Sequence, residues 1–217
     1  RAPAAFSLKT SALSIAAHPE ASLLAAGAED GTLKIFNLDR KTAETTLTSH
    51  VDAVNDLAWS DSALLSASSD KTARLWRVAD WSAITLAGHT DHVLAARFLL
   101  LRRAVTACRD GNVRVFETSS KSTKLLQVLP SAQGWPRTLA AAGRALAVAG
   151  THTADSVFVY FTADDDRDDD ARRRRSDVFS PSRELASPTE ARGYQTQALA
   201  LVEADAGAYL LAAASRD

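Results

Sequence analysis

Four stretches of the chain lie under one another with the same order of apolar and polar positions: LLAAGAEDGTLKIFNL (23–38), LLSASSDKTARLWRV (64–78), AVTACRDGNVRVFET (104–118) and ALAVAGTHTADSVFVYF (145–161). Each opens with a run of small or apolar residues. An Asp turn follows, and each stretch then alternates apolar residues up to an aromatic. Alternation with period two is the mark of a β-strand, whose side chains point to opposite faces in turn. In TARLW (72–76) it places Ala73 and Leu75 on one face, Arg74 and Trp76 on the other. Asp-Gly at 30–31 and 110–111 and Asp-Lys at 70–71 sit between the two runs, where a tight hairpin needs residues tolerant of a left-handed backbone. Each segment is therefore a β-hairpin.

The hairpins recur at a fixed interval. Asp30, Asp70 and Asp110 are spaced by 40 residues, and so are Phe36, Trp76 and Phe116. Further short strands precede them, at Leu13–Ala17, Val54–Trp59 and Val93–Phe98, and others follow, at Thr45–Thr48, Ser82–Leu86 and Leu125–Val128. Four short strands per ~40 residues predict an all-β array of small antiparallel sheets. The repeats fall at about 11–48, 49–87, 88–129 and 130–162, with part of a fifth at 194–217.

Residues 163–193 interrupt the spacing. From Asp155 to Asp217 is 62 residues, about twenty more than one repeat. The segment holds few apolar residues to offset the entropy of ordering, so it is expected to be a charged, flexible insertion. Its acidic block, Asp164–Asp170, lacks the glycine and closing glutamate of a calcium loop. Arg172–Arg175 has the look of a nuclear-import or phosphate-binding patch that the acidic block neutralises, and Ser180-Pro181 and Ser187-Pro188 have the form of phosphorylation sites.

Composition narrows the classes of function. With 217 residues and 46% hydrophobic content the chain suits a packed core, and a formal net charge of −1 gives no global field toward nucleic acid or an anionic surface. Direct nucleic-acid binding is not expected. Cys108 is the sole cysteine, which excludes an internal disulfide and fits a reducing compartment. It lies among small residues with no flanking His or Lys, so packing is expected of it rather than reactivity. No apolar run reaches the ~18 residues of a membrane span. No metal-ligand spacing or glycine-rich phosphate loop occurs, and no cofactor is expected. His18 lies in a turn after a strand, and His92 and His152 are isolated. The chain begins without Met and reads as an excerpt of a longer protein.

Ser49-His50 and Gly88-His89 occupy the Gly-His position of the WD-repeat family, and Leu75-Trp76-Arg77 its Trp-Asp position with Arg in place of Asp. The chain resembles that family over about 11–161 and again over 194–217. The resemblance implies a WD-repeat β-propeller: four full blades and part of a fifth, from a ring of seven, with Ala5–Lys9 as the strand that closes the last blade. An open ring of this kind is expected to aggregate through its uncovered strand edges. The resemblance also implies a role for three residues that otherwise look like a hydrolase triad. In the family the turn Asp, a loop His, a strand Ser or Thr and the Trp form a buried hydrogen-bonded tetrad, which here is Asp70, His50, Ser66 and Trp76. A catalytic reading needs an exposed nucleophile and an oxyanion hole, and no G-x-S-x-G turn is present. His89, Thr106 and Asp110 form a second, partial set with Phe116 in place of Trp. The first repeat has Asp30 but Ser11 where the His would be.

The segment ASSDKTARLWRVADWSAITLAGHTDHVLAARFLL (67–100) is similar to the C-terminal propeller of the autophagy-related protein 16 family, and the next repeat fits it through a short connection at Gly134-Trp135. That similarity implies a non-enzymatic adaptor of autophagy lipid conjugation, cytoplasmic and recruited to membranes through membrane-associated partners. The interaction face would be the loops before the inner strands, with Ser11, Asp52 and Asp91 as candidates for binding proteins or peptide motifs. The alternative is a scaffold subunit of a nuclear RNA-processing or ribosome-assembly complex. Two narrower readings fail on the residues: Trp76 is followed by Arg-Val-Ala rather than the W-D-x-R of cullin-ligase receptors, and Leu101-Arg102-Arg103-Ala104 stands in the wrong place for a phosphoinositide-binding loop.

Overall fold

The computed structural model describes residues 7–99, 102–119, 121–130, 134–143, 145–151, 156–162, 179–186, 195–203 and 209–216. Within these the chain is all β. The first sheet holds β1 (Ala12–Ala17), β2 (Leu23–Ala28), β3 (Leu33–Asn37) and β4 (Thr42–Leu47). The second holds β5 (Val54–Trp59), β6 (Ala63–Ser68), β7 (Ala73–Arg77) and β8 (Ala83–Leu86). The third holds β9 (Val93–Leu99), β10 (Arg103–Cys108), β11 (Asn112–Thr118) and β12 (Thr123–Pro130). The fourth holds β13 (Trp135–Ala142), β14 (Ala145–Thr151), β15 (Ser156–Thr162) and β16 (Phe179–Ala186). A two-stranded sheet, β17 (Gln195–Glu203) with β18 (Tyr209–Arg216), follows. All pairs are antiparallel and the strands of each sheet lie in chain order. These are four propeller blades and two strands of a fifth.

Successive blades meet along their first strands, β1 on β5, β5 on β9, β9 on β13 and β13 on β17. Side chains stitch these strands together. Ser14 Oγ donates to the Val54 carbonyl at 3.0 Å, Trp59 Nε1 to the Ala16 carbonyl at 2.9 Å and Asn55 Nδ2 to the Val93 carbonyl at 2.8 Å. Asp56 accepts from the Ala96 N–H at 3.0 Å and pairs with the Arg97 guanidinium. Burial raises the Asp56 pKa even against the Arg97 charge.

The core lies between blades, and the alternation along each strand assigns its two faces. Trp76 joins Ala25, Leu33, Ile35 and Leu47 on the first-blade side. Ala73 and Leu75 join Val93, Ala96, Ala104 and Phe116 on the third-blade side. The small residues of β2, β6 and β10 follow from this geometry, since a mid-blade strand is pressed from both faces. At Gly27 an added Cβ would meet Val54 Cγ1 at 2.6 Å.

Gly31, Lys71 and Gly111 stand at the same hairpin turn with φ of 83°, 68° and 86°. Lysine carries the steric cost of the left-handed region that glycine avoids. Lys71→Gly is expected to raise stability by roughly 0.5–1 kcal/mol, read as a higher urea midpoint at unchanged slope. Unchanged or lower stability would show that Lys71 makes a compensating contact.

Two expectations are corrected here. Residues 163–193 are not all loop, because Phe179–Ala186 forms β16 against β15, with Ser180-Pro181 inside it. A blade's outermost strand needs a backbone ladder on one side only, so few apolar residues suffice, and Pro181 is tolerated at an edge. Ser7–Lys9 are not in a strand. Ala5, Asp155, His152, the acidic block, Arg172–Arg175, Ser187-Pro188 and Asp217 lie outside the described residues. No helix is long and apolar enough to cross a membrane among the described residues.

Candidate functional site: blade networks and the loop end

The second blade brings Asp70, His50, Ser66 and Trp76 together. His50 Nδ1 lies 2.8 Å from Asp70 Oδ2 and Nε2 lies 2.7 Å from Ser66 Oγ, while Trp76 Nε1 donates to Ser66 Oγ at 2.9 Å. Proton counting assigns the directions. Asp70 can only accept, so His50 Nδ1 carries the proton, Nε2 accepts from the Ser66 hydroxyl, and Ser66 accepts from the indole. Burial lowers the His50 pKa against the pull of Asp70 and so keeps this neutral tautomer. Burial also acts to raise Asp70, but hydrogen bonds from Thr72 and His50 outweigh it and hold the carboxyl below its ordinary range. Thr72 Oγ1 donates to Asp70 Oδ1 at 2.6 Å. Ser66 is 0% exposed and its hydroxyl proton is committed to His50, so it lacks the access a nucleophile needs.

The third blade is wired differently from the expected set. His89 Nε2 reaches Thr106 Oγ1 at 2.8 Å, but His89 is not hydrogen-bonded to Asp110. Arg114 holds that carboxylate in a two-toothed pair, Nη1 to Oδ1 at 3.0 Å and the second nitrogen to Oδ2 at 2.8 Å. Thr90 adds its N–H and hydroxyl to Oδ2, each at 3.1 Å. Burial would raise Asp110, but the bond from Arg114 dominates and the carboxyl stays far below its usual range. His89 Nδ1 is buried without a hydrogen-bond partner of good geometry. Burial first, then the Arg114 charge, lowers the His89 pKa to about 4.

The physical reason for the rewiring lies at position 116. With Phe116 in place of Trp, no indole N–H orders the Thr106 hydroxyl, so the His-to-Asp chain loses its direction and a bidentate guanidinium captures the carboxylate. In the second blade, where the chain is closed, the equivalent Arg74 has its Nε buried without a partner.

Ser11, Asp52 and Asp91 lie just before β1, β5 and β9, at one end of three successive sheets. Hairpin turns lean on that end. The Ser11 carbonyl accepts from the Glu29 N–H at 3.0 Å, the Asp52 carbonyl from Ser68 Oγ at 2.9 Å, and the Asp91 carbonyl from Cys108 Sγ at 3.1 Å. Gly31 packs so closely here that a Cβ would lie 2.7 Å from the His50 carbonyl oxygen. The carboxylates of Asp52 and Asp91 each accept the next residue's N–H, at 2.7 and 2.8 Å. Ser11 and Asp52 are exposed and Asp91 half-buried.

His18 and Cys108, also singled out from sequence, have structural surroundings that account for them. His18 Nδ1 accepts the N–H groups of Glu20 and Ala21 at 3.1 and 2.9 Å, and Nε2 faces the Asp61 carbonyl of the second blade at 3.3 Å. Cys108 is 0% exposed and burial raises its pKa. No group of three or more metal-ligating side chains occurs among the described residues. Sequence reading missed Arg97 on Asp56, Arg114 on Asp110, and Arg109, whose guanidinium lies 4.3 Å from the Trp135 ring centroid.

Comparison with known proteins agrees with the blades. The family model "WD domain, G-beta repeat" matches residues 6–37 and 41–77. The chain is 34% identical over 148 residues to "Nuclear distribution protein nudF 1" of Talaromyces marneffei, covering 63% of this chain and 32% of that protein. It is 35% identical over 109 residues to "Denticleless protein homolog" of Danio rerio, covering 47% of this chain and 17% of that protein. Among solved structures it is similar to the RRP9 WD40 repeats, with a TM-score of 0.70 at 24% identity. It is also similar to U3-55K, with a TM-score of 0.72 at 25% identity. Each comparison covers 94% of this chain and 59% of the other. The chain thus spans about a third or less of these two curated relatives.

Proposed function

We propose that this chain, a WD40-repeat β-propeller protein, is a non-enzymatic scaffold whose loop end around Ser11, Asp52 and Asp91 receives segments of partner proteins. One observation carries the reading. The Ser, His and Asp that resemble catalytic machinery are closed on one another and on Trp76 inside a blade, with Ser66 0% exposed. The polar groups of the loop end instead sit at the mouth of several blades at once, where one extended segment can touch all of them.

Within this reading, residues 67–100 support an adaptor of autophagy lipid conjugation, cytoplasmic and recruited to membranes by its partners. The curated relatives, named for nuclear distribution and for Denticleless, add nothing to that finer assignment. Loss of autophagy lipid conjugation on deletion of the gene would support it, and unchanged conjugation would reject it.

The scaffold itself is tested by photo-crosslinking in cell extract from residues at the loop end, Asp52 and Asp91, against Arg40 at the outer β3–β4 turn. Partner crosslinks are expected from the first two positions. Crosslinks confined to Arg40 would overturn the assignment of the face.

A further inference from the structure

Four features of the molecule stand outside the scaffold reading: the aromatic cluster of His18, Trp59 and Trp81, the exposed apolar residues of β1 and β12, the buried His89 and the Arg109–Trp135 pair. The first is fully used in joining blades one and two. The second has no group that defines an occupant. The third is a buried structural residue. The fourth holds a stacked guanidinium, that of Arg109, at a built position.

We propose that Arg109 and Trp135 form a docking point for a carboxylate side chain of an extended acidic peptide from a partner protein. The inference rests on the loop end being the interaction face and names the chemistry that one part of it recognises.

Arg109 stands at the turn after β10 and donates its backbone N–H to the His92 carbonyl at 2.8 Å, which fixes its Cα on the loop end. Trp135 opens β13 in the next blade, so the pair bridges two blades. The guanidinium lies 4.3 Å from the ring centroid while Trp135 remains 37% exposed. Among the described residues no side-chain hydrogen-bond or ion-pair acceptor meets the Arg109 guanidinium. Stacking holds a guanidinium in plane on an aromatic face and leaves its edge donors outward, in the fork that matches a carboxylate. Two other arginines of the third blade differ. Arg114 is spent on Asp110, and Arg97 on Asp56.

Position decides the sign and the source of the anion. The equivalent turn residues of blades one and two are Glu29 and Ser69, so of the first three blades only the third has a cation here. Asp91 lies in the adjoining turn with its side chain 40% exposed. Its charge opposes a phosphate dianion or a nucleic-acid backbone more than a single carboxylate, at separations of a few ångström in water. The chain's own acidic block follows Thr162 in sequence. The register Trp135↔Thr151, Ala142↔Ala145 and Ala145↔Phe161 puts Thr162 at the opposite end of the blade from Trp135, one strand length of ~26 Å away. Only a fully extended chain would bring the far end of that block, near Asp170, across this distance, so an acidic segment of another protein is the better-placed occupant.

A display library of short random peptides, panned on the purified protein, supplies the probe. Enrichment of Asp or Glu at one position is expected, with affinity reduced about tenfold in Arg109→Gln. Arg109→Lys and Trp135→Leu should each weaken binding, because lysine cannot stack as a planar fork. Replacing the enriched acid by phosphoserine should lower affinity. Thermal unfolding of each variant confirms that the fold is kept. Peptides whose binding is lost on changing Ser11, Asp52 and Asp91 but is unmoved in Arg109→Gln would overturn this inference and leave the face intact. Absence of any peptide binding would overturn both. Tighter binding of the phosphoserine form, or competition by the chain's own 162–171 peptide at equal concentration, would reject the carboxylate or the partner assignment respectively.

Discussion

Replacing Trp76 with alanine is expected to cost about 3–5 kcal/mol of unfolding free energy, the largest effect of any single change in the second blade. Trp76 is 2% exposed and fills the space between the first two blades with Leu33, Ile35, Leu47 and Leu64. Trp76→Phe should cost about 2 kcal/mol, since it keeps most of the apolar contact and removes the indole donor from Ser66. Ser66→Ala should cost about 1–3 kcal/mol by leaving His50 Nε2 and the indole N–H unpaired in the interior. The pair discriminates a network from simple packing. In the Trp76→Phe background, Ser66→Ala should cost about 1 kcal/mol less than in the wild type, because one of the two partners it would orphan is already gone. Urea unfolding of the four proteins at neutral pH measures the cycle. Strict additivity would show that the hydrogen bonds add nothing to burial.

The blades were legible because two independent periods coincide. Alternation with period two fixed each strand's faces, and the forty-residue recurrence of Asp30, Asp70 and Asp110 fixed the hairpins. Those signals come from burial and turn geometry, which act locally. The β16 strand carries neither, and what places it is the backbone ladder to β15. The second hydrogen-bonded set was legible as a list of residues but not as a wiring diagram. Arg74 and Arg114 occupy equivalent positions, one after a turn Asp and Thr, the other after a turn Asp and Asn. Only in the blade with Phe116 does the arginine take the carboxylate. The choice depends on whether an indole N–H orders the hydroxyl some ångström away, a three-body condition that spacing does not encode. Arg109 on Trp135 was hidden for a simpler reason: its partners belong to different blades, 26 residues apart in sequence, and no repeat pattern pairs them.

Lowering the pH from 7 to about 4.5 is expected to destabilise the protein progressively, with His89 contributing on the order of 2–3 kcal/mol. The sign follows from proton counting. The folded-state pKa of His89 is lowered from 6.5 to about 4. Between those values the unfolded chain binds a proton that the folded chain refuses, so stability rises with pH across this window and is fully present above it. Each unit of difference corresponds to about 1.4 kcal/mol. The lowered pKa of His50 acts in the same direction. Asp70 and Asp110 act below this range. Their depressed carboxyl pKa values give stability that is lost only as the pH falls below about 4, where unfolded aspartates begin to take up protons. His89→Gln separates the contributions, because glutamine can still hydrogen-bond Thr106 but does not titrate, and Asp110 remains held by Arg114. Urea midpoints taken between pH 7 and 4.5 should fall less steeply in His89→Gln than in the wild type, while His50→Gln should lower stability at every pH by breaking the closed network. A slope unchanged in His89→Gln would mean that water reaches the ring and that the missing partner of Nδ1 is supplied by solvent.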